Sequence, residues 1–114
     1  MLTDEYRYKI LKLLEEEPSL SQRDLASRLG ISLGKVNYCL KALIKVGTLK
    51  VDNFRNSSNK LAYVYLLTPN GIEEKTDITL RFLKSKMHEY ESLQKEIELI
   101  KNDLPPSLDY KKLN

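Results

Sequence analysis

Residues 22–40 read QRDLASRLGISLGKVNYCL, and this stretch decides the fold. Leu25 and Leu29 stand about one helical turn apart, as do Val36 and Leu40, so the segment holds two short helices that each offer one apolar side. Between them Gly30 supplies a residue at which a helix can end and the chain can turn sharply. Two helices crossing steeply around so tight a turn need a small residue where they touch, and Ala26 provides it. They also need apolar residues that lock the pair to a core: Leu25, Leu29, Ile31, Val36, Cys39 and Leu40 fill that requirement at the spacing of a helix-turn-helix.

The flanking residues punctuate the same reading. Ser21 followed by Asp24 is a capping signal for the first of the two helices. Ser32 caps the second, which is expected to reach Val46, where Gly47 supplies the left-handed residue that stops it. Upstream, a helix is expected over 3–17: Thr3 caps it, Asp4 and Glu5 suit its positive end, and Pro18 forbids continuation. Tyr6, Ile10, Leu13 and Leu14 would form its buried stripe. Downstream, residues 48–54 and 61–67 are rich in β-branched, aromatic and aliphatic side chains and flank the polar stretch RNSSNK, a pattern that predicts a β-hairpin.

Thr68-Pro69-Asn70-Gly71 then opens a last helix, expected to end at residue 103 before Leu104-Pro105-Pro106. Within it Leu83, Tyr90, Ile97 and Leu104 alternate with Leu93 and Ile100 at three- and four-residue steps, interrupted only by Lys86. Such a seam predicts a homodimer that buries Leu83, Tyr90, Leu93, Ile97 and Ile100 between two copies of the helix. The expected fold class is mainly α with a small β-hairpin (α+β): a winged helix-turn-helix carrying a long C-terminal dimerisation helix. Residues 1–68 would form the DNA-binding domain, 69–104 the coiled-coil-like dimerisation helix and 105–114 a mobile tail.

Charge is distributed unevenly. The chain has 114 residues and a net charge of +3, yet residues 21–60 carry Arg23, Arg28, Lys35, Lys41, Lys45, Lys50, Arg55 and Lys60 against only Asp24 and Asp52. A cationic third of a chain is how a polyanion-binding surface appears in sequence. On a helical wheel Gly34, Tyr38, Lys41 and Lys45 lie opposite the apolar face of the third helix, with Lys35 and Asn37 on its flanks. Lys35, Tyr38 and Lys41 suit base edges or phosphates in a major groove, Asn37 suits adenine if it turns toward DNA, and Gly34 allows close backbone approach near the Ser32 cap. Gln22 and Arg23, at the start of the preceding helix, suit a phosphate. Arg55, Asn56, Asn59 and Lys60 lie where a wing would meet the DNA backbone or the minor groove. The expected partner is therefore double-stranded DNA.

Sharper chemistry does not fit. Residues 30–36, GISLGKV, are one residue short of a phosphate-binding loop and lack its Ser or Thr. Cys39 falls in phase with the apolar positions and reads as core rather than as a redox switch. His88, the sole histidine, stands on the outer face of the last helix without neighbouring ligands, so no metal, cofactor or catalytic set is expected, and the chain does not read as an enzyme. Glu15, Glu16 and Glu17 read as a solvated helix end. With no apolar run of membrane-spanning length and one cysteine, the reading is of a soluble cytoplasmic protein that does not engage membranes.

The segments LSQRDLASRLGISLGKVNYCLKALIKVG, VDNFRNSSNKLAYVYLLTPNGIEEK and RFLKSKMHEYESL resemble the MarR-type winged-helix regulators. More narrowly, they resemble the small bacterial subgroup associated with exopolysaccharide (EPS) gene clusters. The resemblance implies a dimeric bacterial transcription factor, working at the nucleoid, whose third helix reads the major groove. It implies Lys35, Asn37, Tyr38 and Lys41 as recognition positions and residues 55–60 as the wing. The chain departs from larger members in that its first helix starts almost at Met1, leaving dimerisation to the single last helix; no residue pattern identifies a small-molecule effector. A winged helix that docks on an acidic protein instead of DNA is the alternative, and an acidic outward face on the third helix would have favoured it.

Overall fold

Thr3 takes an extended backbone, and its hydroxyl accepts the Tyr6 N–H at 3.3 Å, so the first helix, α1, runs Asp4–Glu16. The computed structural model describes residues 2–55 and 61–112. Pro18 follows the end of α1, and the chain reaches Leu20, a buried core residue, before the next cap. There Ser21 and Asp24 form a reciprocal box: the Asp24 N–H donates to Ser21 Oγ at 3.0 Å and the Ser21 N–H to Asp24 Oδ2 at 3.1 Å. This satisfies donors that a helix start leaves unpaired. It opens α2, Gln22–Leu29, which Gly30 ends in the left-handed region at φ 67°.

Ser32 Oγ accepts the Lys35 N–H at 3.1 Å and starts α3, Leu33–Lys45. Gly47 at φ 84° reverses the chain, with its N–H on the Ile44 carbonyl and the Thr48 N–H on that of Leu43. Strands β1 (Leu49–Arg55) and β2 (Leu61–Leu67) pair antiparallel from Leu49 opposite Leu67 to Arg55 opposite Leu61. The expected first strand thus shifts by one residue. Thr48 belongs to the turn, where its N–H, hydroxyl and carbonyl bond Leu43, Glu74 and Thr68 rather than a ladder partner. Helix α4, Pro69–Asn102, begins where Thr68 Oγ1 accepts the Gly71 N–H at 2.9 Å. It stops one residue short of expectation, the Asp103 N–H turning to the Ile100 carbonyl.

The chain divides into two compact units. In the first, Met1–Phe82, Ile10, Leu11, Leu14, Leu20, Leu25, Val36, Cys39, Leu40, Leu43, Leu49, Tyr65 and Ile78 build one core. Each fully buried Leu or Ile contributes about 1.5–3 kcal/mol of transfer free energy. The stripe expected on α1 is rotated: Leu11 is fully buried, Leu13 only packs on the core edge, and Tyr6 is half-exposed. Because both α2 and β2 pack on α1, the buried arc widens beyond a single 3.6-residue stripe. Tyr8 and Phe82 stack at 5.1 Å between ring centroids and tie α1 to α4 within this unit.

The second unit, Leu83–Asn114, holds the remainder of α4 and the residues after it. Leu83, Tyr90, Leu93, Ile97 and Ile100 are all exposed there, at 42% to 62% of their full surface. Met87, which the heptad reading passed over, is exposed on the same side, one turn from Leu83 and Tyr90. The tail after Pro106 makes contacts of its own: a short 3-10 turn, Tyr110–Lys112, brings the Tyr110 ring within 4.9 Å of Lys101 Nζ. No helix among the described residues is long and apolar enough to cross a membrane.

Candidate nucleic-acid interface

Helix α3 is locked on one side by Val36, Cys39, Leu40 and Leu43, all buried. Its opposite side therefore faces outward. Gly34, Tyr38, Lys41 and Lys45 are exposed there, Tyr38 at 57%, beside the Ser32 cap. From Gly34 to Lys45 the helix rises about 16 Å, the length of roughly five base pairs. Lys41 and Lys45 have no acidic partner among the described residues, and neither does Arg23, which is exposed at the start of α2. Those three side chains are therefore open to a polyanion.

The flank of the face is more committed. Lys35 is half-buried with Nζ 4.3 Å from the centre of the Tyr6 ring, a cation–π contact to α1. Asn37 donates through Nδ2 to Gln22 Oε1 at 3.2 Å, and Gln22 donates through Nε2 to the Tyr65 hydroxyl at 3.1 Å. Asn37 and Gln22 are thus brought together, while Lys35 meets Tyr6 of α1. Tyr65, 6% exposed at the base of the hairpin, was not among the residues expected at the interface. The signal for it in sequence is slight: the alternation of Tyr63, Tyr65 and Leu67 places it on the inward face of β2, with nothing to name Gln22 as its partner.

Of the wing residues, Asn56, Asn59 and Lys60 lie outside the described residues, as does the side chain of Arg55, which closes β1. Arg28, one of the eight cations of residues 21–60, is paired with Glu17 through two hydrogen bonds of 3.2 Å. Glu15 pairs with Lys75 at 2.6 Å. Two of the three glutamates ending α1 are therefore in ion pairs rather than merely solvated. An exposed pair of this kind is worth under about 1 kcal/mol, so a phosphate can compete for Arg28.

Cys39 lies in the core beneath the outward face, and burial pushes its thiol pKa up. That disfavours the reactive thiolate. Also in the first unit, a cleft of about 410 Å³ is lined by Arg7, Thr48, Glu74, Asp77 and Arg81 together with Leu43, Val46 and Ile78. Both arginines pair with Asp4, at 3.2 and 3.0 Å. No cluster of three or more His, Cys, Asp or Glu side chains suited to a metal occurs among the described residues; His88 is exposed and apart.

Residues 3–50 match the family model described as winged helix-turn-helix DNA-binding. Among solved structures, the chain is similar to the zinc-dependent MarR family transcriptional regulator AdcR in its Zn(II)-bound state. That match has 27% identity and a TM-score of 0.52, over 93% of this chain and 64% of that one, so the chain spans under two thirds of that relative. The transcriptional regulator BldR from Sulfolobus solfataricus matches at 23% identity and a TM-score of 0.56, over 87% and 73% of the two chains. The PcaV transcriptional regulator from Streptomyces coelicolor, in complex with its natural ligand, matches at 19% and 0.56, over 84% and 72%. No curated protein sequence matches the chain. The chain folds as a winged helix-turn-helix, with a segment that matches a DNA-binding family model, and it shares this fold with transcriptional regulators of the MarR family.

Proposed function

We propose that the protein is a sequence-specific double-stranded DNA-binding transcriptional regulator that acts as a homodimer on an inverted-repeat operator at the nucleoid. The observation that carries this reading is the outward face of α3: Tyr38, Lys41 and Lys45 exposed, with the two lysines unpaired among the described residues, on a capped helix whose other side is fixed in the core. In this reading α3 enters the major groove and Ser32, Gly34, Lys35, Asn37, Tyr38, Lys41 and Lys45 form its recognition surface. Gln22, Arg23, Arg55, Asn56, Asn59 and Lys60 hold the backbone on either side. Dimerisation through residues 69–104 is supported by the exposed stripe from Leu83 to Ile100. Control of exopolysaccharide biosynthesis genes rests on the resemblance of the three segments quoted above to the EPS-associated subgroup.

Selection from random duplexes with the purified protein, followed by salt titration on the winning sequence, tests the reading. An inverted repeat with half-sites about 10 bp apart, or a multiple of that, is the expected product, bound with a steep loss of affinity as salt rises. Failure to enrich any sequence, with affinity no better than for generic DNA, would overturn it in favour of the protein-docking alternative. Occupancy at promoters of glycosyltransferase and polysaccharide-export genes in the source cell tests the target class.

A further inference from the structure

We infer that Tyr65, acting through Gln22, holds the Asn37 side chain in place at the DNA-facing surface and is a positioning residue for base recognition. This rests on the DNA-binding reading above. Three elements meet in the relay. Tyr65 belongs to β2, Gln22 to α2 and Asn37 to α3, with the two hydrogen bonds at 3.1 and 3.2 Å. Tyr65 is itself fixed: it is buried, its N–H donates to the Pro18 carbonyl at 3.3 Å, and it pairs with Val51 in the hairpin.

The relay restrains the amide of Asn37 by holding its neighbour in place. A primary amide presents an acceptor on one side and two N–H donors on the other, and a half-turn exchanges them at almost no steric cost. Reading adenine requires both at once, a donor to N7 and an acceptor for the N6 amino group. Asn37 gives one N–H to Gln22 Oε1, and the Gln22 amide gives its own N–H to the Tyr65 hydroxyl, a group that can also donate. Asn37 Oδ1 and the second N–H then have no partner among the described residues and form the pair that an adenine edge takes. Without the tyrosine hydroxyl, the Gln22 side chain loses the bond that anchors it to β2. Asn37 is then free to rotate and present the wrong pattern.

The test uses the full chain and the duplex selected by the wild type, together with copies in which each A·T pair is replaced in turn. The wild type is expected to penalise replacement of one A·T pair per half-site. Tyr65→Phe, which keeps the ring, should bind the selected duplex about five- to tenfold more weakly and no longer distinguish that pair. Asn37→Ala should give the same profile, and adding Tyr65→Phe to it should cost nothing further. Gln22→Glu, whose carboxylate accepts from both neighbours, should keep the discrimination that Gln22→Met loses. If Tyr65→Phe melts early, Gln22→Met at its half-exposed position carries the same comparison. Uniform weakening on every duplex, or additive losses in the double variant, would reduce the relay to packing and overturn the inference. A wild type without any sequence preference would instead remove the DNA-binding reading itself, and this inference with it.

Discussion

A Cβ atom placed on Gly71 would sit 2.1 Å from the carbonyl oxygen of Thr48. The first turn of α4 therefore rests directly on the backbone that leaves α3, and the same carbonyl accepts the Thr68 N–H at 3.1 Å. No side chain fits that approach, and the obstacle is main chain held by its own hydrogen bonds. Gly71→Ala should destabilise the protein by about 1–3 kcal/mol, read as a lower midpoint in urea unfolding. An unchanged midpoint would mean that the turn and α4 separate easily.

Asp4 joins α1 to α4. The Arg81 guanidinium bonded to it holds its carboxyl below the ordinary value against some opposition from burial, and Arg7 adds to the lowering. A carboxylate whose folded pKa is depressed stabilises the fold above its unfolded pKa of about 3.9 and loses that contribution as pH falls through the folded value. Asp4→Asn should thus lower the Tm at pH 7, and the gap to wild type should close as pH falls through the depressed folded pKa. A gap that stays constant with pH would assign the effect to helix capping or packing instead.

Leu93→Glu combined with Ile97→Glu should convert a dimer into a monomer with its first unit still folded. Light scattering at micromolar concentration and circular dichroism give the two readouts. Monomeric wild type at that concentration would eliminate the α4 interface.

Cys39→Val should preserve fold and DNA affinity, because the thiol is fully buried among Val36, Leu40 and Leu43 and acts as a small apolar group. The native thiol should react with an alkylating reagent only as fast as the protein opens. Peroxide-driven release of DNA by the wild type, absent in Cys39→Val, would show that the buried position serves a redox response after all.

Lys41→Ala or Tyr38→Ala should cost about 1–3 kcal/mol on the selected operator and relax preference at particular base pairs. Arg55→Ala should weaken all duplexes about equally and flatten the salt dependence by about one phosphate per subunit. Competition binding against single-base variants separates the two patterns. Equal losses on all duplexes for the α3 variants would place those side chains on phosphates rather than bases.

The helices, their order and their ends were legible in residues 3–47 because each boundary is written in a local interaction. Thr3, Ser21 and Ser32 each bond a backbone N–H three residues ahead, and Gly30 and Gly47 adopt the positive φ that side chains resist. The outward placement of Tyr38, Lys41 and Lys45 was equally available, since it follows from the phase of Val36 and Leu40 along one helix.

What the sequence determined by itself was therefore local: caps, turns, strand alternation, and the concentration of cations in one third of the chain. Tertiary structure decided which of those residues remain free. Arg28 is drawn to Glu17, Lys35 to Tyr6, and Gln22 lies between Tyr65 and Asn37, 43 and 15 residues away. Leu11 enters the core and Tyr6 leaves it for the same reason. Helical periodicity fixes the direction of a side chain on its own element, but the partner it meets depends on how separate elements cross, and that geometry exists only once the core formed by Leu14, Leu25, Leu40 and Leu49 has closed.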